Sequence, residues 1–294
     1  MGKSLHLIIH GKAATEPRLR KLVEQCRDDG HRVSVQVTFE AGDAQRFAHQ
    51  ARGQGYDTVI AAGGDGTLNE VLHGALDGGE PDYALGLLPM GTANDFAGGA
   101  GIASDDLAAA LAVIVERPAR AIDAGQINDK LFLNVATGGF GSQVTVNTDP
   151  NLKNWLGKAS YLLTGLSKLF EFSPISARID SDDFHWQGDL LALAIGNGQQ
   201  AGGGIRLCPG AALDDGLLEL TLLPPNPQQS ITTLLQGFIE QGGAGHQDWV
   251  KRQSLAHFTL STEQTLHLNL DGEPITGRHF DIKVRPQALR FHLP

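Results

Sequence analysis

The stretch GGDGTLNEVLHGAL, Gly63 to Leu76, constrains the fold more than any other part of this sequence. It follows a short, apolar and partly β-branched segment, Thr58 to Ala62, which predicts a strand buried on both faces of a parallel sheet. The glycines allow positive φ angles and let backbone N–H groups approach an anion. Thr67 and Glu70 have the spacing of a capping box, which predicts that a helix begins at Thr67 with its positive dipole end toward the glycines. The turn is therefore suited to a phosphate group.

This stretch matches neither of the two common phosphate-binding fingerprints. Asn69 stands where a dinucleotide-binding turn has its third glycine, and no lysine follows the glycines as it does in a P-loop. A bound phosphate would need a metal ion to neutralise its charge, and Asp65 is the nearest carboxylate. A tight turn before a capped helix, without any ligand, is the alternative interpretation.

A second turn of the same kind follows the next apolar segment. Ala84 to Pro89 predicts another buried strand, and it leads into MGTANDFAGG, Met90 to Gly99, where small residues again accompany hydroxyl, amide and carboxylate groups. In a parallel sheet both turns lie at the carboxyl edge, where ligand crevices form. We therefore expect Asp65 and Asp95 to face one site.

Composition and charge exclude several classes of protein. The chain has 294 residues, of which 41% are hydrophobic and 19% charged, so a globular protein of two domains is expected. The net charge of −10 argues against non-specific binding to nucleic acid and against general attraction to anionic membranes. The first residues lack the features of a signal peptide and no 18-residue apolar run occurs, so we expect a cytoplasmic location.

The two halves of the chain differ in hydrophobic period. From Leu5 to Val115, strand and helix patterns alternate at the spacing of a doubly wound α/β domain. From Ala119 onward most segments alternate apolar and polar residues with period two, which predicts a β-rich, sandwich-like domain. The first turn of the α/β half, HGKAATE, carries Lys12, either as a further phosphate contact or as a solvated lysine.

Several ordered motifs together resemble one family. The segments GGDGT, LPMGTANDF, ATGGFG, FHWQGD, GNGQQAGGG, LCPGAALDDGLLEL and LNLDGEP are similar to those of the diacylglycerol kinase catalytic family, and most similar to YegS-like bacterial lipid kinases. This resemblance covers nearly the whole chain. It implies an N-terminal doubly wound, Rossmann-like α/β domain followed by a β-sandwich-like domain, as in NAD kinases and diacylglycerol kinases. The expected domains are a nucleotide-binding domain over residues 1–122, to which residues 287–294 return, and a lipid-substrate domain over residues 123–286.

The resemblance also implies a function and its nucleotide contacts. The expected activity is an ATP- and Mg²⁺-dependent transfer of the γ-phosphate to a hydroxyl group of a glycerolipid such as diacylglycerol. An NAD kinase and a non-catalytic lipid-binding regulator are the alternatives. The positions matching the family's nucleotide contacts are Thr38, Gly64, Asp65, Gly66, Thr67, Leu68, Asn69, Glu70 and Thr92.

Two metal sites are implied in the same way. Asp65, Asp95 and Asp123 match three carboxylates that form a water-linked network around Mg²⁺. Asp215, with the backbone carbonyls of Ala212 and Leu217, resembles a second site for Mg²⁺ or another divalent cation such as Ca²⁺. A bare turn is the alternative at Asp215.

The resemblance assigns the general base to Glu273, with Asp271 close by. If the chain stays extended through LNLDGEP, Asp271 and Glu273 share the polar face of one strand. Considered without the resemblance, Asp271-Gly272 between two strand patterns instead predicts a hairpin turn.

Residues Asn151 to Phe170 have apolar side chains at helical spacing together with lysines and no acidic residue. This pattern favours a helix packed on a core, and a membrane-surface helix that makes transient contact with the inner membrane surface and its lipid is the alternative. The sequence identifies neither the lipid nor the oligomeric state.

Overall fold

The computed structural model describes residues 2–139, 174–226 and 249–294. The chain divides into two compact units: unit 1 is Met1–Asp123 with Gln287–Pro294, and unit 2 is Ala124–Pro286. The predicted helix from Asn151 to Phe170 lies outside the described residues. In the part of the chain that is described, no helix is long and apolar enough to cross a membrane.

Unit 1 alternates strands and helices, as the change of hydrophobic period predicts. Its elements are β1 (Ser4–Ile9), α1 (Pro17–Asp28), β2 (Arg32–Val37), α2 (Asp43–Gln50), β3 (Thr58–Gly63), α3 (Asp65–Leu76), β4 (Ala84–Pro89), α4 (Asp95–Gly99), α5 (Leu107–Glu116) and the first half of β5 (Arg120–Ile127), with a 3₁₀ turn at Gly11–Ala13. All six residues of β3 and all six of β4 are buried, which confirms the prediction of strands covered on both faces.

The parallel sheet of unit 1 has the order β2–β1–β3–β4. From β1 the chain moves outward to β2 and then returns to β3 on the other side of β1. The strand order therefore reverses at β1, and the turns that follow β1 and β3 diverge at the carboxyl edge of the sheet. Such a reversal is where ligands bind in open α/β sheets.

The C-terminal residues complete the core of unit 1. Phe291 pairs in parallel with Leu85 of β4 and is fully buried, with its ring centroid 5.2 Å from that of Phe96. The next residue, His292, accepts at Nε2 from the Thr58 hydroxyl at 3.0 Å and donates from Nδ1 to the Arg117 carbonyl at 2.9 Å. This pairing suits a neutral imidazole, the form that burial favours by lowering the pKa of His292.

The predicted capping box at Thr67 and Glu70 is wrong. Helix α3 begins at Asp65, and its N-cap residue, Gly64, makes no side-chain hydrogen bond. Glu70 Oε2 instead accepts hydrogen bonds from the backbone N–H groups of Gly42 at 3.2 Å and Ala44 at 3.1 Å, at the start of α2. A glycine N-cap leaves the first turn of α2 without a side-chain acceptor of its own, and Glu70 supplies one from a neighbouring helix.

Unit 2 is built from antiparallel strands, as predicted from the period-two segments. They are β6 (Lys130–Phe132), β7 (Val135–Gly139), β8 (Ile175–Asp180), β9 (His185–Leu190), β10 (Ala192–Gly196), β11 (Gln200–Ala201), β12 (Ile205–Arg206), β13 (Leu218–Leu223), β14 (Lys251–Leu255), β15 (His257–Leu270) and β16 (Glu273–Phe291), whose last five residues belong to unit 1. The main order in this unit is β14–β13–β10–β7–β15–β16, and β15 also pairs with β8 beyond an irregularity between Ser261 and Leu266.

Alternate residues of the unit 2 strands enter two different apolar clusters. Ala136 belongs to the large cluster that also contains Phe258 and Ile282, whereas its neighbour Val135 packs with Cys208 in a smaller one. Because successive side chains of a strand point to opposite faces, both faces of the sheet around β7 are covered. This is the packing of a β-sandwich-like unit.

Candidate active site

A cleft of about 570 Å³ opens at the carboxyl edge of the unit 1 sheet, at the reversal of strand order. Its walls are the turns after β1, β3 and β4. The lining residues are His10, Lys12, Ala13, Thr15, Glu16, Pro17, Gly63, Gly64, Gly66, Thr67, Glu70, Met90, Gly91 and Thr92. The sequence therefore predicted correctly that the GGDGT and MGTANDF turns meet at one edge.

Glycines allow these two turns to touch. A Cβ atom on Gly91 would lie 2.5 Å from the Cα atom of Gly64, so a side chain here would force the turns apart. Gly63 is equally constrained, since a Cβ atom on it would lie 2.4 Å from the Thr67 hydroxyl oxygen. The Gly63 carbonyl also accepts the Met90 N–H at 2.7 Å. The contact between bare backbones forms one wall of the cleft.

Asp65 joins the two turns through its carboxylate. Its Oδ2 accepts the Asp95 N–H and its Oδ1 accepts the Phe96 N–H, both at 3.1 Å. These N–H groups belong to the first turn of α4, where they have no partner within the helix and where negative charge is stabilised. Asp65 and Asp95 are therefore adjacent, as predicted, but the contact runs from a carboxylate to a backbone.

The turn after β1 is held by two side chains. His10 Nδ1 accepts the Lys12 N–H at 3.2 Å, and the Thr38 hydroxyl accepts the Gly11 N–H at 3.1 Å. Thr38 thus supports the cleft from behind and does not line it. The His10 bond leaves the N–H of a neutral imidazole at Nε2.

The residues expected to contact nucleotide do not all reach the cleft. Gly64, Gly66, Thr67, Glu70 and Thr92 line it. Leu68 and Asn69 point into the protein, being 2% and 4% exposed, and Asn69 Oδ1 has no hydrogen-bond partner among the described residues.

Among the lining residues, His10, Met90 and Gly91 belong to the turns that the sequence predicts at this edge, but they were not singled out as ligand contacts. Each directly follows a strand of the parallel sheet or lies one residue beyond. The rule that sheet-edge turns carry ligand sites would have included them.

The third carboxylate of the expected network, Asp123, lies at the end of unit 1 and is 1% exposed. Its Oδ1 accepts the Gln287 N–H at 2.7 Å. Within the described ranges, no three His, Cys, Asp or Glu side chains converge closely enough to hold a metal ion directly.

The second expected metal site lies on an exposed turn of unit 2. Asp215 Oδ1 accepts the Leu217 N–H at 3.0 Å, and Gly216 between them has a φ of 72°. The chain just before this turn is anchored by the buried carboxyl group of Glu219, whose Oε2 accepts the Gly210 N–H at 2.5 Å. Burial raises the pKa of Glu219, although the Gly210 N–H and the Arg252 guanidinium oppose the shift. The metal ligands that this turn could provide are carboxylate and carbonyl oxygens, which suit Mg²⁺ or Ca²⁺.

Asp271 and Glu273 do not share the face of one extended strand, and that expectation is wrong. Strand β15 ends at Leu270, which pairs with Glu273 at the start of β16. Asp271 and Gly272 form the two-residue turn between them, with φ angles of 49° and 104°. The hairpin interpretation of Asp-Gly is therefore confirmed, and positive φ angles at both turn residues match the twist of the flanking strands.

The Asp271 carboxylate is an anchor for the neighbouring chain. It accepts the N–H groups of Leu133 at 2.6 Å, Asn134 at 3.1 Å and Val135 at 2.9 Å. The chain is divided there into β6 and β7. The Glu273 carboxylate is exposed and makes no hydrogen bond or ion pair with any residue of the described ranges.

Comparison with known proteins agrees with this arrangement. Residues 4–127 match the family model of the diacylglycerol kinase catalytic domain, and residues 135–293 match the YegS C-terminal NAD kinase beta sandwich-like domain. A protein of Pseudomonas aeruginosa named "Probable lipid kinase YegS-like" is 48% identical over 288 residues, covering 98% of this chain and 93% of that protein.

The chain belongs to the YegS-like family of the diacylglycerol kinase group. A Pseudomonas putida member with the same printed name is 47% identical over 293 residues, covering 100% of this chain and 96% of that one. The family resemblance expected from sequence is thereby confirmed, and the chain is a kinase.

Solved structures of lower identity confirm the fold class. A crystal structure described as a diacylglycerol kinase of Bacillus anthracis (strain Sterne) superimposes with a TM-score of 0.78 at 20% identity, covering 99% of this chain and 97% of that one. A second structure from the same organism reaches a TM-score of 0.85 at 23% identity, with coverage of 99% and 95%.

Proposed function

We propose that this kinase transfers the γ-phosphate of ATP to a hydroxyl group of a glycerolipid, diacylglycerol or a related lipid, with the help of Mg²⁺. The observation that carries the proposal is the glycine-walled cleft at the switch point of unit 1, in a chain whose N-terminal half matches a kinase catalytic domain. Relatives along almost the whole chain are named as lipid kinases, which favours a lipid as the acceptor.

The phosphates of the nucleotide would lie in the cleft. Gly64, Gly66 and Thr92 present backbone and hydroxyl groups there, and the N-terminus of α3 adds its positive dipole end. Thr38 acts on the cleft indirectly, by holding the β1 turn, whereas Glu70 lines the cleft and also caps the start of α2. Thr67 fills the space beside Gly63, and Leu68 and Asn69 hold α3 in the core.

The carboxylates near the cleft suit a hydrated cation. Asp65 and Asp95 are adjacent, and we assign the waters of Mg²⁺ to them and to Asp123, because Mg²⁺ retains several waters and uses few protein carboxylates. Bound with the nucleotide, the ion would offset the charge that develops on the transferred phosphoryl group.

We assign the general base to Glu273. It would accept the proton of the lipid hydroxyl as that oxygen forms a bond to the γ-phosphorus and the bond to the bridging oxygen of ADP breaks. The Glu273 carboxylate is exposed and has no partner among the described residues, so it is accessible to a substrate hydroxyl group. Its neighbour Asp271 fixes the turn that carries it, so we assign Asp271 a positioning role.

The turn from Ala212 to Leu217 would hold a second divalent cation through the Asp215 carboxylate and the carbonyls of Ala212 and Leu217. Since the substrate is a membrane lipid, we also propose transient contact with the inner surface of the membrane.

Product analysis of the purified chain tests the activity. The protein is incubated with ATP and Mg²⁺ and either a mixed glycerolipid extract in detergent or NAD, and products are identified by mass spectrometry. A phosphorylated lipid supports the proposal. Formation of NADP alone would establish the NAD kinase alternative, and lipid binding without ATP turnover would establish the non-catalytic one.

The base is tested with Glu273→Gln. We expect the turnover rate to fall by about 10² to 10⁴, the usual contribution of a general base, while ATP affinity is retained. The control is Glu263→Gln, which alters another exposed glutamate of unit 2 and should leave turnover unchanged. Full activity of Glu273→Gln would remove Glu273 from the mechanism.

A further inference from the structure

The charged side chains that line the unit 1 cleft differ in whether they have hydrogen-bond or ion-pair partners. Among the described residues that line it, Lys12 is the one lysine or arginine. Both lining carboxylates already have partners: Glu16 Oε1 lies 2.9 Å from Arg18 Nε, and Glu70 caps α2. The Lys12 ammonium forms no hydrogen bond or ion pair with any described residue. The Lys12 ammonium is therefore available to an anion that enters the cleft.

The backbone that carries Lys12 is fixed before any ligand arrives. Lys12 lies in the 3₁₀ turn Gly11–Ala13, whose N–H groups at Gly11 and Lys12 are bonded to the Thr38 hydroxyl and the His10 ring. Because the backbone is already fixed, only the side chain of Lys12 loses conformational entropy when an anion binds.

The turn that carries Lys12 lies next to the glycine turn, because the two turns follow neighbouring strands. Strands β1 and β3 are paired neighbours, with Ile9 opposite Ala62, and the His10 N–H donates to the Ala62 carbonyl at 3.0 Å. Gly63 and Gly64 follow immediately, so the Lys12 turn and the glycine turn leave adjacent strands at the same sheet edge. An anion on the glycine turn lies beside the Lys12 turn.

We infer that Lys12 binds the polyphosphate chain of the nucleotide, taking the place of the lysine that the GGDGT turn lacks. The inference rests on the proposed function, because it requires a nucleoside triphosphate in this cleft. It assigns to a residue outside the glycine motif the electrostatic role that a P-loop assigns to a lysine within it. An ammonium group acts as a compact point charge, so its contribution should grow with the number of phosphates.

The test compares the dissociation constants of ATP, ADP and AMP by calorimetry, without lipid, for wild type and Lys12→Met. We expect Lys12→Met to weaken ATP binding on the order of tenfold, as for a hydrogen bond to a charged group, and to change AMP binding little. The difference for ATP should shrink at high salt, since exposed charges are screened. Lys12→Arg should restore most of the affinity.

Lys21→Met is the matched control, because it removes an exposed lysine of α1 outside the cleft. It should leave all three dissociation constants unchanged. Lys12 is exposed, so thermal unfolding of Lys12→Met should match wild type, and Lys12→Gln provides a second neutral variant.

The possible outcomes distinguish a failure of the inference about Lys12 from a failure of the proposed function. If wild type fails to bind ATP and transfers no phosphate, the proposed function fails. If wild type binds and uses ATP but Lys12→Met keeps the same ratio of ATP to AMP affinity, the inference alone is overturned. An equal loss of ATP and AMP binding would indicate a structural role for Lys12 and would also overturn it.

Discussion

Aspartate residues act in both units as acceptors for runs of backbone N–H groups. Asp65 accepts two consecutive N–H groups at the start of α4, and Asp271 accepts three consecutive ones from Leu133 to Val135. Hydrogen bonds to an ionised acceptor are about twice as strong as neutral ones. At both places the carboxylate determines the path of a distant part of the chain, and this geometric role exists before any ligand binds.

Replacing Asp271 by alanine should destabilise the protein by about 2–3 kcal/mol, because three N–H groups lose a charged acceptor together. Asp271→Asn retains one acceptor oxygen and should fall between alanine and wild type. Urea denaturation of the whole chain measures the effect.

Glu273→Gln is the comparison for Asp271→Ala, since it changes an exposed side chain two residues away without a partner in the described ranges. Its free energy of unfolding should stay within about 0.5 kcal/mol of wild type. Equal stability of Asp271→Ala and wild type would contradict the anchoring role.

Helices and turns in unit 1 are stabilised by contacts with other elements, whereas a sequence pattern describes one element at a time. The capping-box rule considers one helix, and at Glu70 it fails because the N–H groups of Gly42 and Ala44 compete for the same carboxylate. The period of the apolar residues nevertheless predicts the strands and most helices of this unit within a few residues of their observed limits. This succeeds because the spacing of apolar residues along the sequence reflects which side chains are buried.

The features that sequence could not supply come from contacts between remote segments. The break between β6 and β7 requires Asp271, more than 130 residues further along the chain. Helix α4, within a segment read as a turn, requires the Asp65 carboxylate to cap it. The meeting of the two glycine turns, in contrast, was predictable, because parallel strands bring their carboxyl ends to one edge.

Contact between the two glycine turns should be sensitive to a single methyl group. In Gly91→Ala the added Cβ would lie 2.5 Å from Gly64 Cα and 2.7 Å from Asn94 Oδ1, so the turns must separate. We expect a loss of stability of about 1–3 kcal/mol and weaker ATP binding, measured by thermal unfolding and calorimetry.

Gly66→Ala is the matched change for stability, since its Cβ would meet no atom within 4 Å and the residue lies inside α3. Stability should be unchanged or rise by up to about 1 kcal/mol, because alanine favours a helix. A Gly91→Ala protein as stable as Gly66→Ala would show that the turns do not depend on their backbone contact.

At the scale of the whole molecule, buried histidines set the response to acid. His6 on β1 is 2% exposed and its ring lies 4.7 Å from that of Tyr56, and His292 is 4% exposed. Burial lowers the pKa of both side chains, and Lys3 and Arg290 lower that of His292 further. Each is therefore neutral in the folded state at a pH where the unfolded chain is already protonated.

We predict that the free energy of unfolding falls as the pH is lowered from 7 to 5. Below a pH of about 6.5 the unfolded state binds more protons, so each histidine removes up to about 1.4 kcal/mol per pH unit. A second loss is expected near pH 4 to 2, because the Phe39 N–H and Arg46 hold the pKa of Asp43 at about 2. Urea denaturation at a series of pH values measures both losses.

His6→Phe retains an aromatic ring beside Tyr56 and removes one titrating group, so its pH dependence between 7 and 5 should be shallower than that of wild type. A stability that is constant or rises on acidification would contradict the assignment of neutral buried histidines.

Strand β16 begins in unit 2 and ends in unit 1, where Phe291 and His292 close the core beside β4. During translation, therefore, the first unit to emerge from the ribosome cannot finish folding until the second has been synthesised. Throughout that interval the nascent kinase leaves the edge of β4 that pairs with Phe291 without its partner.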